Sequence, residues 1–83
     1  PAANAMAQTY VQTGAFTLEA NAQAERARMQ AAGIQDVLIV PGYIRGQTFY
    51  RVQVGPLPAE TPDMALVQKL RGLGLTRYSV VQQ

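Results

Sequence analysis

The chain repeats itself. Tyr10-Val11-Gln12-Thr13-Gly14-Ala15-Phe16 and Tyr50-Arg51-Val52-Gln53-Val54-Gly55-Pro56-Leu57 follow one plan: with Val11 laid on Val52, Gln12 falls on Gln53, Gly14 on Gly55 and Phe16 on Leu57. The same offset carries Gly33 onto Gly74 and Ile34 onto Leu75, so the correspondence survives the helix-like segment in between. A repeat of this kind dictates architecture before any single residue does. Two units are too few for a solenoid, which leaves a closed, pseudo-symmetric domain.

Each unit reads as strand, helix, strand. From Thr9 to Gly14 polar and apolar residues alternate, Val11 and Thr13 to one side, Tyr10 and Gln12 to the other, as in a half-buried strand. Thr17 and Asn21 are both candidate N-caps for the helix that follows. Within it, Ala20, Ala24, Ala27 and Ala31 form a stripe of small residues expected to lie against a sheet, leaving Arg26, Arg28 and Gln30 to water. Gly33 supplies the left-handed residue that ends the helix. Val37-Leu38-Ile39-Val40 is a second strand, and Pro41-Gly42 marks a bulge or an edge, since proline donates nothing to a ladder. A turn over Arg45-Gly46-Gln47-Thr48 leads into a third strand, Phe49 to Val54. The second helix opens with Thr61 as N-cap, Pro62 at its first position and Asp63 in its first turn. Leu66, Val67, Leu70 and Leu73 give its buried stripe, Gly72 and Gly74 end it, and Arg77 to Gln82 is the last strand.

Strand, helix, strand, strand, helix, strand folds most simply as an α+β, ferredoxin-like βαββαβ domain: a four-stranded antiparallel sheet with two helices on one face. The first and third strands are then central neighbours. In the third strand Tyr50, Val52 and Val54 must be the buried set, which puts Phe49, Arg51 and Gln53 together on the face without helices, beside Gln12.

Composition limits the chemistry. With 83 residues the chain suits one modest domain, and 48% hydrophobic content with 14% charged residues is globular in character. Cysteine and histidine are both absent, which removes thiolate and imidazole metal ligands, the usual nucleophile and the usual neutral-pH base; no metal and no cofactor is expected. The net charge of +2 comes from scattered basic residues without a concentrated Lys/Arg face, so no nucleic-acid partner is expected. No apolar run approaches the ~18 residues of a membrane span. Pro1 to Gln8, alanine-rich, reads as the remnant of a linker, making residues 9–83 a domain of a longer protein.

At Tyr10-Val11-Gln12-Thr13-Gly14-Ala15-Phe16 and Tyr50-Arg51-Val52-Gln53-Val54-Gly55-Pro56-Leu57 the chain resembles the SPOR (sporulation-related repeat) family of peptidoglycan-binding modules. The resemblance implies a non-catalytic, monomeric domain whose exposed sheet face holds GlcNAc-MurNAc glycan strands lacking stem peptides and so carries its parent to the division septum. It also implies a periplasmic or cell-envelope location and a parent such as a cell-division protein, an amidase or a lytic transglycosylase of the rare-lipoprotein-A type anchored at the outer membrane. The resemblance matches its binding positions to Gln12, Ala15, Phe49, Arg51 and Ser79, and with Thr13 and Gln53 of the same strands these are the expected glycan-binding residues. Removing a stem peptide frees the lactyl carboxylate of muramic acid, which is a chemical reason for an arginine at Arg51. The glutamines donate and accept, as sugar hydroxyls and N-acetyl groups require, and Phe49 offers a ring for stacking.

The same topology leaves other functions open. An acylphosphatase-like hydrolase would need an arginine in the loop after the first strand, where Ala15-Phe16-Thr17 stand. An RNA-recognition-like module would stack bases on sheet aromatics, of which only Phe49 and Tyr10 are available. A dimeric amino-acid-sensing domain shares only the topology. Glu19, Asp36, Glu60 and the other acids are not paired on the expected face, so glycosidic cleavage by this chain is not expected.

Overall fold

The computed structural model describes residues 8–83. The expected linker, residues 1–8, therefore lies outside the described residues apart from Gln8. The elements run β1 (Thr9–Phe16), α1 (Glu19–Ala31), β2 (Val37–Ile44), β3 (Gln47–Leu57), α2 (Met64–Gly72) and β4 (Ser79–Gln82). All strand pairs are antiparallel in the order β2-β3-β1-β4, with β1 and β3 at the centre as expected. Pro41 sits in edge strand β2, where its missing N–H interrupts no ladder on the outer side. The β2–β3 hairpin is tighter than its sequence implied: Ile44 pairs with Gln47, and Arg45 (φ 51°) and Gly46 (φ 81°) alone make the turn. Two positive φ values in a two-residue loop are the geometry that matches strand twist.

The core lies between sheet and helices. Val11, Val52 and Val54 from the central strands meet Ala22 and Met29 of α1 and Leu70 of α2, so both helices cover one face. The repeat extends into this core further than the sequence motifs alone indicate. The offset that relates Val11 to Val52 also relates Met29 to Leu70, and all four side chains are fully buried. Each helix ends the same way. Gly33 N–H donates to Gln30 and Ile34 N–H to Met29; Gly74 N–H donates to Arg71 and Leu75 N–H to Leu70. These are Schellman ends, with Gly33 (φ 91°) and Gly74 (φ 78°) in the left-handed position. The pairs Met29/Ile34 and Leu70/Leu75 supply the apolar contact that accompanies the motif. The helices also cap each other: Arg28 Nη2 donates to the Leu73 carbonyl at 2.8 Å and Lys69 Nζ to the Gly33 carbonyl at 3.4 Å. Arg28 and Lys69 are again related by the repeat.

Three local expectations need correction. Helix α1 does not present its alanine stripe to the sheet: Ala20, Ala24, Ala27 and Ala31 are all exposed, and Ala22, Glu25 and Met29 are buried. Ala22 and Met29 lie seven residues apart on one face, and the helix turns that face, with its one long apolar side chain, toward the sheet. The N-cap position of α1 is Leu18, with no side-chain cap, so neither Thr17 nor Asn21 serves. For α2 the N-cap is Asp63 and not Thr61, and Pro62 precedes the helix; Asp63 Oδ1 accepts from Leu66 N–H at 2.8 Å. Asp63→Ala is accordingly expected to lower stability by about 1 kcal/mol. A thermal melt should record this as a fall of roughly 4–8 °C in Tm. An unchanged Tm would mean that water replaces the cap without loss.

Candidate functional site

Among the described residues no helix or loop covers the face of the sheet turned away from the helices, and strand register arranges its side chains in cross-strand rows. Ser79, Gln12, Gln53 and Leu38 form one row across β4, β1, β3 and β2. Ala15, Arg51 and Val40 form the next, and Phe49 pairs with Gly42 beyond it. Rows on one face of a strand are separated by about 7 Å and neighbouring strands by about 4.8 Å, so these side chains make a continuous shallow platform.

A bulge decides who stands on it. Strict alternation from Gln12 would send Ala15 into the core and Phe16 outward. Instead Gln12 pairs with Gln53 and Gly14 with Val52, so Thr13 is an extra residue in β1. The alternation resets, Ala15 is exposed on the open face opposite Arg51, and Phe16 packs on the core. Thr13 does not join the platform. It is 8% exposed, its hydroxyl lies 3.8 Å from Met29 Sδ and 3.5 Å from the Val52 carbonyl, and it belongs to the helix side. Among the candidates, then, Gln12, Ala15, Phe49, Arg51, Gln53 and Ser79 share a face and Thr13 is corrected to the core.

Gln53 is on that face but covered. Its side chain is 0% exposed and both ends of its amide are engaged: Gln83 Nε2 donates to Gln53 Oε1 at 2.8 Å, and Gln53 Nε2 donates to Gln12 Oε1 at 3.2 Å. A buried amide must find partners, and here the three glutamines satisfy one another. The chain of bonds has a direction. Because Gln12 spends its oxygen on Gln53, its Nε2 is left as the group offered outward. Tyr10, which alternation also places on this face, is 8% exposed; its hydroxyl donates to Gln8 Oε1, and its ring lies over Gly55, where an added Cβ would stand 2.8 Å from Tyr10 Cδ2. It closes one end of the platform and offers no open ring.

Arg51 is half-buried and, among the described residues, makes no ion pair and no hydrogen bond; the ion pair present is Arg28 with Glu25 on α1. The five acidic residues of the chain, Glu19, Glu25, Asp36, Glu60 and Asp63, all lie in helices or loops, and none is in a strand. The platform therefore combines a guanidinium, an outward amide N–H group and a ring without negative charge. Leu38 and Ile44 of β2, 42% and 50% exposed, add an apolar margin. A cleft of about 320 Å³ on the helix side, bordered by Asp36, Pro56 and Lys69, holds none of the candidate residues.

Sequence reasoning missed Gln83 and Gly42. Nothing in the last residues marks Gln83 as a partner for Gln53. Gly42 was legible in principle, since the two-residue turn at Arg45-Gly46, once recognised, counts back to a Gly42–Phe49 pair.

Comparison with known proteins agrees with this architecture. The SPOR domain family model matches residues 6–61. The crystal structure of the RlpA SPOR domain from Pseudomonas aeruginosa superposes with a TM-score of 0.73 at 23% identity, covering 90% of this chain and 99% of that one. The solution structure of the peptidoglycan binding domain of the Bacillus subtilis cell wall lytic enzyme CwlC gives a TM-score of 0.63, also at 23% identity, covering 93% of this chain and 90% of that one. Comparison with curated protein sequences returns no match.

Proposed function

The chain belongs to the SPOR family, and from that premise we propose that its open sheet face binds peptidoglycan, taking glycan strands that have lost their stem peptides. The observation that carries the proposal is the platform itself: Gln12, Ala15, Phe49, Arg51 and Ser79 stand together on an uncovered face that holds no carboxylate. A stripped strand differs from a substituted one in two ways. It presents free lactyl carboxylates, which suit a guanidinium, and it lacks the bulk that would keep a flat sheet at a distance. Arg51 pairs with a lactyl carboxylate by a charge-assisted bond, Gln12 donates from Nε2 to a sugar or acetamide oxygen, and the Phe49 ring contacts the apolar face of a sugar. Ser79 contributes a hydroxyl at the far end of the first row, and small Ala15 leaves the approach to Arg51 clear. Gln53 acts from beneath by holding Gln12.

The domain binds and does not cleave. Hydrolysis of a glycosidic bond by the usual route requires two carboxyl groups flanking it, and the acids of this chain are on the other side of the sheet or in loops. Binding of this kind would place a parent protein in the cell envelope wherever amidases have acted, as at a division septum.

Whole sacculi before and after amidase treatment test the reading, with this chain as the probe. Retention is expected to rise after treatment, and to persist in part at high salt because uncharged sugar contacts are not screened. Equal retention on both would overturn selectivity for stripped strands. Retention on neither would overturn peptidoglycan binding, and retention that vanished steeply with salt would overturn the sugar contacts of Gln12 and Phe49, leaving charge alone.

A further inference from the structure

We infer that Gly42 is a positioning residue for Arg51, a role that rests on the proposal that the open face is the glycan site. Arg51 in β3 pairs with Val40 in β2, and its side chain reaches diagonally to the next open-face position, Gly42. A Cβ built on Gly42 would stand 2.5 Å from Arg51 Nη2, 3.0 Å from Cζ and 3.3 Å from Nε. The guanidinium therefore lies against bare backbone, in a space that any other residue would fill. Backbone conformation does not demand the glycine, because Gly42 is not among the positive-φ glycines Gly33, Gly46, Gly55 and Gly74. A glycine inside a strand weakens it and marks a place where another group comes close; here that group is Arg51.

The seat has a consequence for recognition. Among the described residues no carboxylate and no carbonyl holds the Arg51 fork, so Gly42 is what receives it. A side chain already resting in one place loses less freedom when it meets its ligand. The position also matters, because Gly42 is the cross-strand partner of Phe49, and the fork seated there lies in the row of that residue. Cation and ring are thus presented as one unit to a ligand that carries an anionic group beside an apolar sugar face.

Gly42→Ala is the test. The atoms it displaces are the far end of a flexible side chain, so the fold is expected to tolerate it with little change in Tm. Affinity for amidase-stripped glycan is expected to fall roughly three- to tenfold, the range that corresponds to reordering one long side chain. The Arg51 Nε–Hε resonance should shift in the free protein, a readout that a purely structural glycine would leave in place. In an Arg51→Ala background the same substitution should change affinity by less than about twofold. A wild-type chain that binds while Gly42→Ala binds equally well overturns the inference, and so does an equal loss in both backgrounds, which would make the glycine a ligand contact in its own right. If the wild type does not bind stripped glycan, the proposed function falls. The seat is then judged on the free protein alone, where an unmoved Arg51 resonance in Gly42→Ala overturns it.

Discussion

Arg51→Ala is expected to lower affinity for stripped glycan by roughly 10- to 100-fold, the range that follows from losing a hydrogen-bonded contact to a charged group worth about 1.5–3 kcal/mol. The loss should be confined to binding. Among the described residues Arg51 has no ion pair to lose, so its removal strands no partner there, and the melting temperature should stay close to that of the wild type. Arg51→Lys separates charge from shape. Lysine keeps the positive charge but not the planar fork, and it should fall between the wild type and Arg51→Ala if a carboxylate is gripped by two N–H groups. Titration of soluble stripped oligosaccharides at low and high salt measures both. Lysine that matches arginine would show that charge alone is read. Alanine that matches arginine would remove the platform's cation from the binding account altogether.

The second large effect is on stability. Leu70→Ala is expected to lower the free energy of unfolding by about 2–5 kcal/mol, and Met29→Ala by a similar amount, because both side chains are fully buried and each deletion leaves a cavity at the junction of helix and sheet. Domains of this size have only about 5–15 kcal/mol to lose, and each kcal/mol moves Tm by roughly 4–8 °C. Either variant should therefore melt at least about 8 °C below the wild type. The two belong together, since Met29 and Leu70 occupy equivalent places in the repeated unit, each three residues before its helix cap. Melts followed by circular dichroism decide the matter. A large loss for one and almost none for the other would show that the core depends on one half, and that the symmetry is a matter of backbone only.

The repeat was the most informative property of the sequence because it links positions far apart without any knowledge of contacts. It related Val11 to Val52 and Gly33 to Gly74, and from strand and helix periods it led to the element order, the central pair β1 and β3 and the face that carries Phe49 and Arg51. The element ends were less legible. Strand β3 runs on through Gly55-Pro56 to Leu57, and β4 begins only at Ser79, because the ends of strands follow their neighbours and not their own composition. The rotation of α1 departs from the alanine stripe because Ala22 and Met29, seven residues apart, share a face that carries the one long apolar side chain of the helix.

Of the candidate site, the sequence by itself determined the residue types and the strand face: an alternation of two sorts arginine, glutamine and phenylalanine from valine and tyrosine in β3, and that is a local property of the chain. Tertiary structure alone decided three things. The bulge at Thr13 turns Ala15 outward and Phe16 inward, Gln53 is roofed by Gln12 and Gln83, and Arg51 rests on Gly42. Each depends on the register between strands distant in sequence. Register is set by the packing of all four strands on one core, and no single strand contains it.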